Sequence, residues 1–146
     1  MLDTNTASYL VKGNYPNVRH NLIRSARTHA ITISAVTRGE LLYGLALKGS
    51  PKGLSARVHA VLDQLEVLPW DATVADTYGI VRAWCKTHGV GIAALDLMIA
   101  THAIALDATL ITHDQSFSPL AFPRIKHTPF RLKLQDWMEA LPSEGF

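Results

Sequence analysis

Four carboxylates, Asp3, Glu40, Asp96 and Asp114, sit among apolar and small neighbours, an unusual setting for charged side chains. A carboxylate taken out of water is costly unless a hydrogen-bond donor, a cation or a helix terminus compensates it. Singly, each has an ordinary structural reading. Asp3 can cap a helix. Glu40, between Gly39 and Leu41, can be a solvated helix position. Asp96 can cap the helix that continues through Leu97-Met98-Ile99. Asp114 can be a turn residue in His113-Asp114-Gln115-Ser116. Jointly, each lies beside a strand end or a helix start. Clustered carboxylates suit a hard divalent cation such as Mg²⁺, which takes oxygen ligands and keeps several waters. Such an ion lowers the pKa of a bound water and stabilises the charge that builds on a phosphodiester under attack. His113 can contact a phosphate or serve as an ordinary surface hydrogen-bonding residue.

Other chemistries lack their motifs. The chain has no G-x-x-x-x-G-K-[ST] phosphate loop, no G-x-G-x-x-G turn, no H-E-x-x-H helix and no G-x-S-x-G elbow. Its seven histidines show no zinc-ligand spacing, and the single cysteine, Cys85, excludes an internal disulfide and a cysteine-rich zinc site. Metal–carboxylate chemistry is the strongest reading left.

The elements that must position these acids follow from periodicity and breaks. Met1–Asp3 reads as the end of a short strand, and a helix begins at Thr4 or Asn5, both good caps. Asn14-Tyr15-Pro16 breaks it, and a second helix runs through Val18–Arg27. Ile31–Ser34 reads as a buried strand, followed by a helix over Ala35–Leu47 and a break at Gly49-Ser50-Pro51. Leu54, Val58, Val61, Leu62 and Leu65 share a helical face, and Val67-Leu68 is a strand ended by Pro69. Val74, Tyr78, Val81 and Cys85 mark another helix, stopping near His88-Gly89. The segment Asp96–Leu106 is apolar nearly all round and predicts a deeply buried helix. Thr109–Thr112 reads as a strand and Arg131–Leu134 as a last edge strand. Strands alternating with helices predict a parallel sheet covered on both faces, with ligands at the carboxyl ends of the strands. Asp3 and Asp114 fall at such ends.

The chain has 146 residues, which predicts one domain over 1–146. The apolar fraction of 48% and charged fraction of 18% fit a globular protein rather than a disordered one. No apolar run reaches membrane-spanning length and no secretory leader is evident, so a cytoplasmic location without membrane attachment is expected. The net charge of +2 conceals segregation. Arg19, Arg24, Arg27, Arg38, Lys48, Lys52 and Arg57 crowd the first half, and Arg124, Lys126, Arg131 and Lys133 the end. Between Lys86 and Arg124 there is no lysine or arginine, while Asp96, Asp107 and Asp114 fall there. That pattern suits a basic rim beside an acidic pocket, and equally a solvated surface.

Read in order, these segments resemble PIN-domain toxins of the VapC type. Met1-Leu2-Asp3-Thr4-Asn5 resembles the opening "LDTN". The run from Ser34 to Gly44, with Glu40 inside it, is similar to "S-x-x-t-x-x-E-L-x-x-G". Tyr78-Gly79-Ile80-Val81-Arg82 matches the helix that precedes the third acid. Gly89–Ala105 resembles "G-x-x-I-G-x-x-D-x-x-I-A-x-H-A", and Leu110–Phe117 resembles "L-v-T-n-D-x-x-F". Gln135-Asp136-Trp137 looks like the closing "E-D-W". Ala93 stands where a glycine is usual and His113 where an asparagine is usual. No acid is lost.

The resemblance implies an α/β fold, a PIN-like three-layer α/β/α sandwich with a central parallel sheet. It implies an acidic pocket of Asp3, Glu40, Asp96 and Asp114 that binds Mg²⁺ or Mn²⁺ and cleaves RNA internally. Asn5 and Thr112 would orient the acids by hydrogen bonds. It further implies a homodimer, a cognate VapB-type antitoxin, and contact with DNA only indirectly, through that antitoxin. Transfer RNA or a ribosomal RNA loop is the expected substrate. Tyr9, Leu10, Leu42 and Leu45 are candidate walls of an antitoxin groove, with ordinary core positions as the plain alternative. The rival from another class is a non-catalytic PIN-like binding module acting mainly with an antitoxin in operator binding.

Overall fold

The structure, a computed structural model, describes residues 1–121 and 128–139. Arg124 and Lys126 of the predicted basic cluster lie outside the described residues. Four three-residue strands, β1 (Thr32–Ser34), β2 (Glu66–Leu68), β3 (Thr109–Ile111) and β4 (Lys133–Gln135), pair in parallel as β1 with β2 and β3 with β4. Leu2 bridges both pairs, parallel to Ile33 on one side and Ile111 on the other. Its N–H donates to Thr32 at 2.8 Å, Asp3 N–H donates to Ile111 at 3.0 Å, and Ile111 N–H donates to Met1 at 2.8 Å. The sheet order is therefore β2-β1-Leu2-β3-β4. The first strand expected over Met1–Asp3 is present as a single bridging residue at the centre of the predicted parallel sheet.

Helices α1 (Thr4–Lys12), α2 (Pro16–Ser25), α3 (Ala35–Leu47), α4 (Lys52–Gln64), α5 (Ala72–Thr87) and α6 (Ala94–Ala105) connect the strands. Local chemistry explains their ends. Gly13, at φ 76°, closes α1 in the left-handed conformation that glycine adopts without strain. Pro16 occupies the first turn of α2, where its missing N–H costs nothing, so that helix starts two residues before the expected Val18. The Asp71 carboxylate accepts from Val74 N–H at 3.1 Å and caps α5. Sequence periodicity missed the 3-10 turn Gln115–Phe117 and the one-turn helix α7 (Ser118–Ala121), both too short to show a period.

Side chains alternate across the sheet and divide the core in two. Met1 and Leu110 pack with Val81, Cys85, Leu97, Ile99, Phe117 and Leu120, from α5, α6 and the segment after β3. Leu2, Ile33 and Ile111 pack with Ala7, Val11, Val18, Leu41, Leu45, Val58 and Leu62, from α1 to α4. Helices thus cover both faces of a parallel sheet, the predicted layering, and α6 carries its expected buried run from Leu97 to Ala103.

Candidate active site

Asp3 follows the central bridge directly and caps α1. One carboxylate oxygen accepts from Thr6 N–H at 2.7 Å, and the other accepts from the Thr112 hydroxyl at 2.5 Å. Thr112, just past β3, also accepts from Asp114 N–H at 3.0 Å, so one hydroxyl joins two of the four acids. Asp114 caps the 3-10 turn by accepting from Ser116 N–H at 2.8 Å. Asp96 lies in the first turn of α6, behind the cap position Ala93, which offers no side-chain bond. Three of the acids therefore sit at helix or 3-10 N-termini, where unpaired N–H groups favour negative charge. Glu40 comes from the middle of α3, and its carboxylate accepts a hydrogen bond from the Thr4 hydroxyl.

The four acids lie in one another's field. Burial pushes the Asp3 carboxyl above its ordinary range. Hydrogen bonds from Thr112 and Thr6 oppose that rise and the Asp114 charge adds to it. Burial pushes Asp96 up as well, followed by the charges of Glu40, Asp114 and Asp3. Among the described residues, no lysine or arginine forms an ion pair with any of the four. The pairs seen are Lys133–Asp107 at 2.9 Å and His113–Asp136 at 2.6 Å. The His113 ring is thus held on the Asp136 carboxylate, which, with the charge of Asp136, raises its pKa.

The donor set is all oxygen, supplied by carboxylates with threonine hydroxyls between them. Among the described residues, no group of three or more His, Cys, Asp or Glu side chains is placed to hold a metal ion by itself, so such an ion would rely on its own waters for most of its ligands. That layout fits a hydrated divalent cation held by a few carboxylates and its own waters, and does not fit a desolvated cage or a zinc site. Asn5, expected to orient the acids, is exposed on α1. The side-chain hydrogen bonds to the acids come instead from the Thr4 and Thr112 hydroxyls, with backbone N–H groups of Thr6 and Ser116 supplying the rest. Thr4 was read from the sequence only as a helix cap and Thr6 went unremarked, because helix-capping chemistry and site chemistry use the same residue types.

Beside this site, α1, α2 and α4 enclose a cavity of about 210 Å³ lined by Tyr9, Leu10, Gly13, Tyr15, Arg19, Leu22, Val61, Gln64 and Leu65. The Tyr9 and Tyr15 rings are 4.2 Å apart, and the Lys12 ammonium lies over Tyr9 at 5.8 Å. Burial raises the Tyr9 hydroxyl's pKa, followed by Tyr15 and the charges of Asp3, Asp136 and Asp114, so this wall lies within the field of two of the acids. Of the four candidate groove residues, Tyr9 and Leu10 line the cavity. Leu45 is buried in the core and Leu42 packs against it.

The PIN domain family model matches residues 1–123. The chain belongs to the PIN-domain family. Within that family several of its relatives are named VapC. It is 32% identical to ribonuclease VapC2 of Rickettsia felis, over 78% of this chain and 85% of that protein. It is 30% identical to the tRNA(fMet)-specific endonuclease VapC of Salmonella typhimurium, over 94% of this chain and 96% of that protein. The fold is similar to a chain in the crystal structure of VapBC2 from Rickettsia felis bound to a DNA fragment from its promoter. The TM-score is 0.82 at 30% identity, with 94% of this chain and 97% of that chain covered. The acids of this PIN domain all lie within the segment that the family model matches. No helix among the described residues is long and apolar enough to cross a membrane.

Proposed function

We propose that this PIN-domain chain is a metal-dependent endoribonuclease and the toxin of a toxin–antitoxin pair, acting in the cytoplasm. The observation that carries the reading is the set of four mutually repelling acids with no lysine or arginine to balance them among the described residues. A site that stores negative charge in this way calls for a cation from solution. Asp3, Glu40, Asp96 and Asp114 would hold Mg²⁺ or Mn²⁺. Once bound, that ion supplies an activated water and neutralises charge at the phosphate. The chain's own residues do the positioning. Thr112 fixes Asp3 and the Asp114 backbone, Thr6 fixes the other Asp3 oxygen, and Thr4 fixes Glu40. RNA is the substrate class that the relatives' names support, and a transfer RNA is favoured because the Salmonella typhimurium relative is named for one.

A VapB-type antitoxin is the partner. An amphipathic segment of it would dock against the cavity of Tyr9, Tyr15, Leu22 and Val61, adjacent to the acids. Contact with promoter DNA would come through that antitoxin, in line with the DNA-bound Rickettsia felis complex. Tyr43 and Leu47, one turn apart on α3 and 66% and 71% exposed, give the homodimer an apolar surface to bury.

The test is incubation of purified chain with total transfer RNA in Mg²⁺, followed by sequencing of the new 5′ ends. Cleavage at one defined position, lost in EDTA and restored by excess Mg²⁺ or Mn²⁺, is expected. Full cleavage in EDTA removes the metal, and no cleavage of any RNA removes the nuclease reading.

A further inference from the structure

Glu40 stands on α3 and Asp96 on α6, so the distance between these carboxylates depends on how one helix is set against the other. Apolar contact alone resists such sliding weakly, and α6 is apolar over most of its surface. Repulsion between the two acids pushes the helices apart. Among the described residues, one polar contact joins them in the core. His102 Nδ1 on α6 lies 2.8 Å from Ser34 Oγ, and both side chains are fully buried. Ser34 is also the cap of α3, accepting from Val36 N–H at 3.1 Å, so the contact grips that helix at its first backbone turn.

The spacing on the two helices matches. Ser34 precedes Glu40 by six residues, and Asp96 precedes His102 by six. Ser34 opposite His102, with Glu40 in the field of Asp96, means that α3 and α6 run in opposite senses. The two contacts stand about 9 Å apart along the helices, at about 1.5 Å per residue. One is neutral and buried, and the other is acidic and at the site.

We infer that Ser34 and His102 form a positioning pair that sets α3 against α6 and thereby fixes Glu40 and Asp96 at the separation where both can hold one divalent cation. This rests on the metal reading above. A second feature supports it. His102 Nε2 is buried with no hydrogen-bond partner among the described residues. A leucine there would fill similar space without burying an unpaired nitrogen, so the imidazole is a poor choice for stability alone. A directional bond between two buried groups gives what leucine cannot, a single register.

The experiment measures Mn²⁺ binding to metal-free protein by electron paramagnetic resonance, together with melting temperature. His102→Leu is expected to weaken Mn²⁺ binding about tenfold and to alter the spectrum of the bound ion, the size of effect seen when groups that orient metal ligands are lost. His102→Asn, whose amide can reach the place of Nδ1, should restore most of the affinity. Ser34→Ala should weaken binding in the same direction and decides the matter if His102→Leu does not fold. Val18→Ala, a fully buried core change on α2, should lower the melting temperature and leave Mn²⁺ binding as in the wild type. Wild-type affinity in His102→Leu or Ser34→Ala overturns the inference, as does His102→Asn binding no better than His102→Leu. An equal loss of affinity in Val18→Ala at matched melting temperature also overturns it. Absence of Mn²⁺ binding by the wild type overturns the metal reading and this inference together, a result distinct from the others.

Discussion

The acidic end of the sheet and the cavity between α1, α2 and α4 are lined by opposite chemistry. Asp3, Glu40, Asp96 and Asp114 belong to the first, three of them at helix or 3-10 N-termini, and no lysine or arginine pairs with them among the described residues. The second is walled by two stacked tyrosines, leucines and a valine, with Lys12 and Arg19 at hand and no acid in its lining. On the metal reading proposed above, a small hydrated cation would suit the first, because charge neutralisation acts on all four groups together. It offers the second nothing. An apolar, partly acidic segment of another protein satisfies the second by covering ring faces, and would be repelled at the first. On the function proposed above, the first would serve chemistry and the second its control.

The largest effect that can break this division is at the acids. Asp3→Asn and Asp96→Asn should each reduce RNA cleavage at least about 100-fold while circular dichroism stays native, since one ligand charge is lost and the shape is kept. Near-wild-type rates in either, with metal controlled, would remove that residue from the site. The same variants should bind antitoxin within a few-fold of wild type. Equal losses of cleavage and antitoxin affinity would merge the two regions into one.

At the cavity the expected effect is smaller. Leu22→Ala or Val61→Ala should weaken antitoxin binding about tenfold in calorimetry, or about 1.4 kcal/mol, with a much smaller change in cleavage of free RNA. An affinity unchanged in both variants would place the antitoxin elsewhere.

The smallest effect sharpens the electrostatic half of the comparison. The Asp3 and Asp96 carboxyls titrate higher in the folded protein than in the unfolded chain. The folded state thus holds their protons more tightly. Their contribution to stability is complete below the unfolded carboxylate pKa and is lost as pH rises through the raised folded values. In metal-free protein, Asp96→Asn should therefore melt about 2–4 °C above wild type at neutral pH, where about 1 kcal/mol moves the midpoint by a few degrees. That gain should vanish toward the acid limit and shrink when Mg²⁺ is added. A gain independent of pH would trace to packing rather than to charge.

The sequence by itself determined which residues carry charge into apolar surroundings, where the longer helices lie to within a residue or two at their ends, and that the strands must lie parallel. These are short-range matters. A capping carboxylate, a proline in a first turn or a 3.6-residue apolar period acts within a few bonds or one helical turn, and so is written in neighbouring letters. Asp3 was legible both as a cap and as a site acid, and the structure gives one carboxylate oxygen to each use, Thr6 N–H on one side and the Thr112 hydroxyl on the other. The resemblance already named Thr112 among the residues that orient the acids, but only the tertiary structure decided that Asp3, 109 residues away, is the acid it holds, and that His102 meets Ser34 across 68 residues. It alone left Asn5 exposed while Thr4 and Thr6 took the hydrogen bonds, sent Leu45 inward while Tyr9 and Leu10 lined a cavity, and shrank the first strand to Leu2. Each of these outcomes depends on chain closure. Parallel strands pair only after a crossover has brought distant segments together, and which hydroxyl then lies within reach of a carboxylate is a property of that packing, not of either neighbourhood in the sequence.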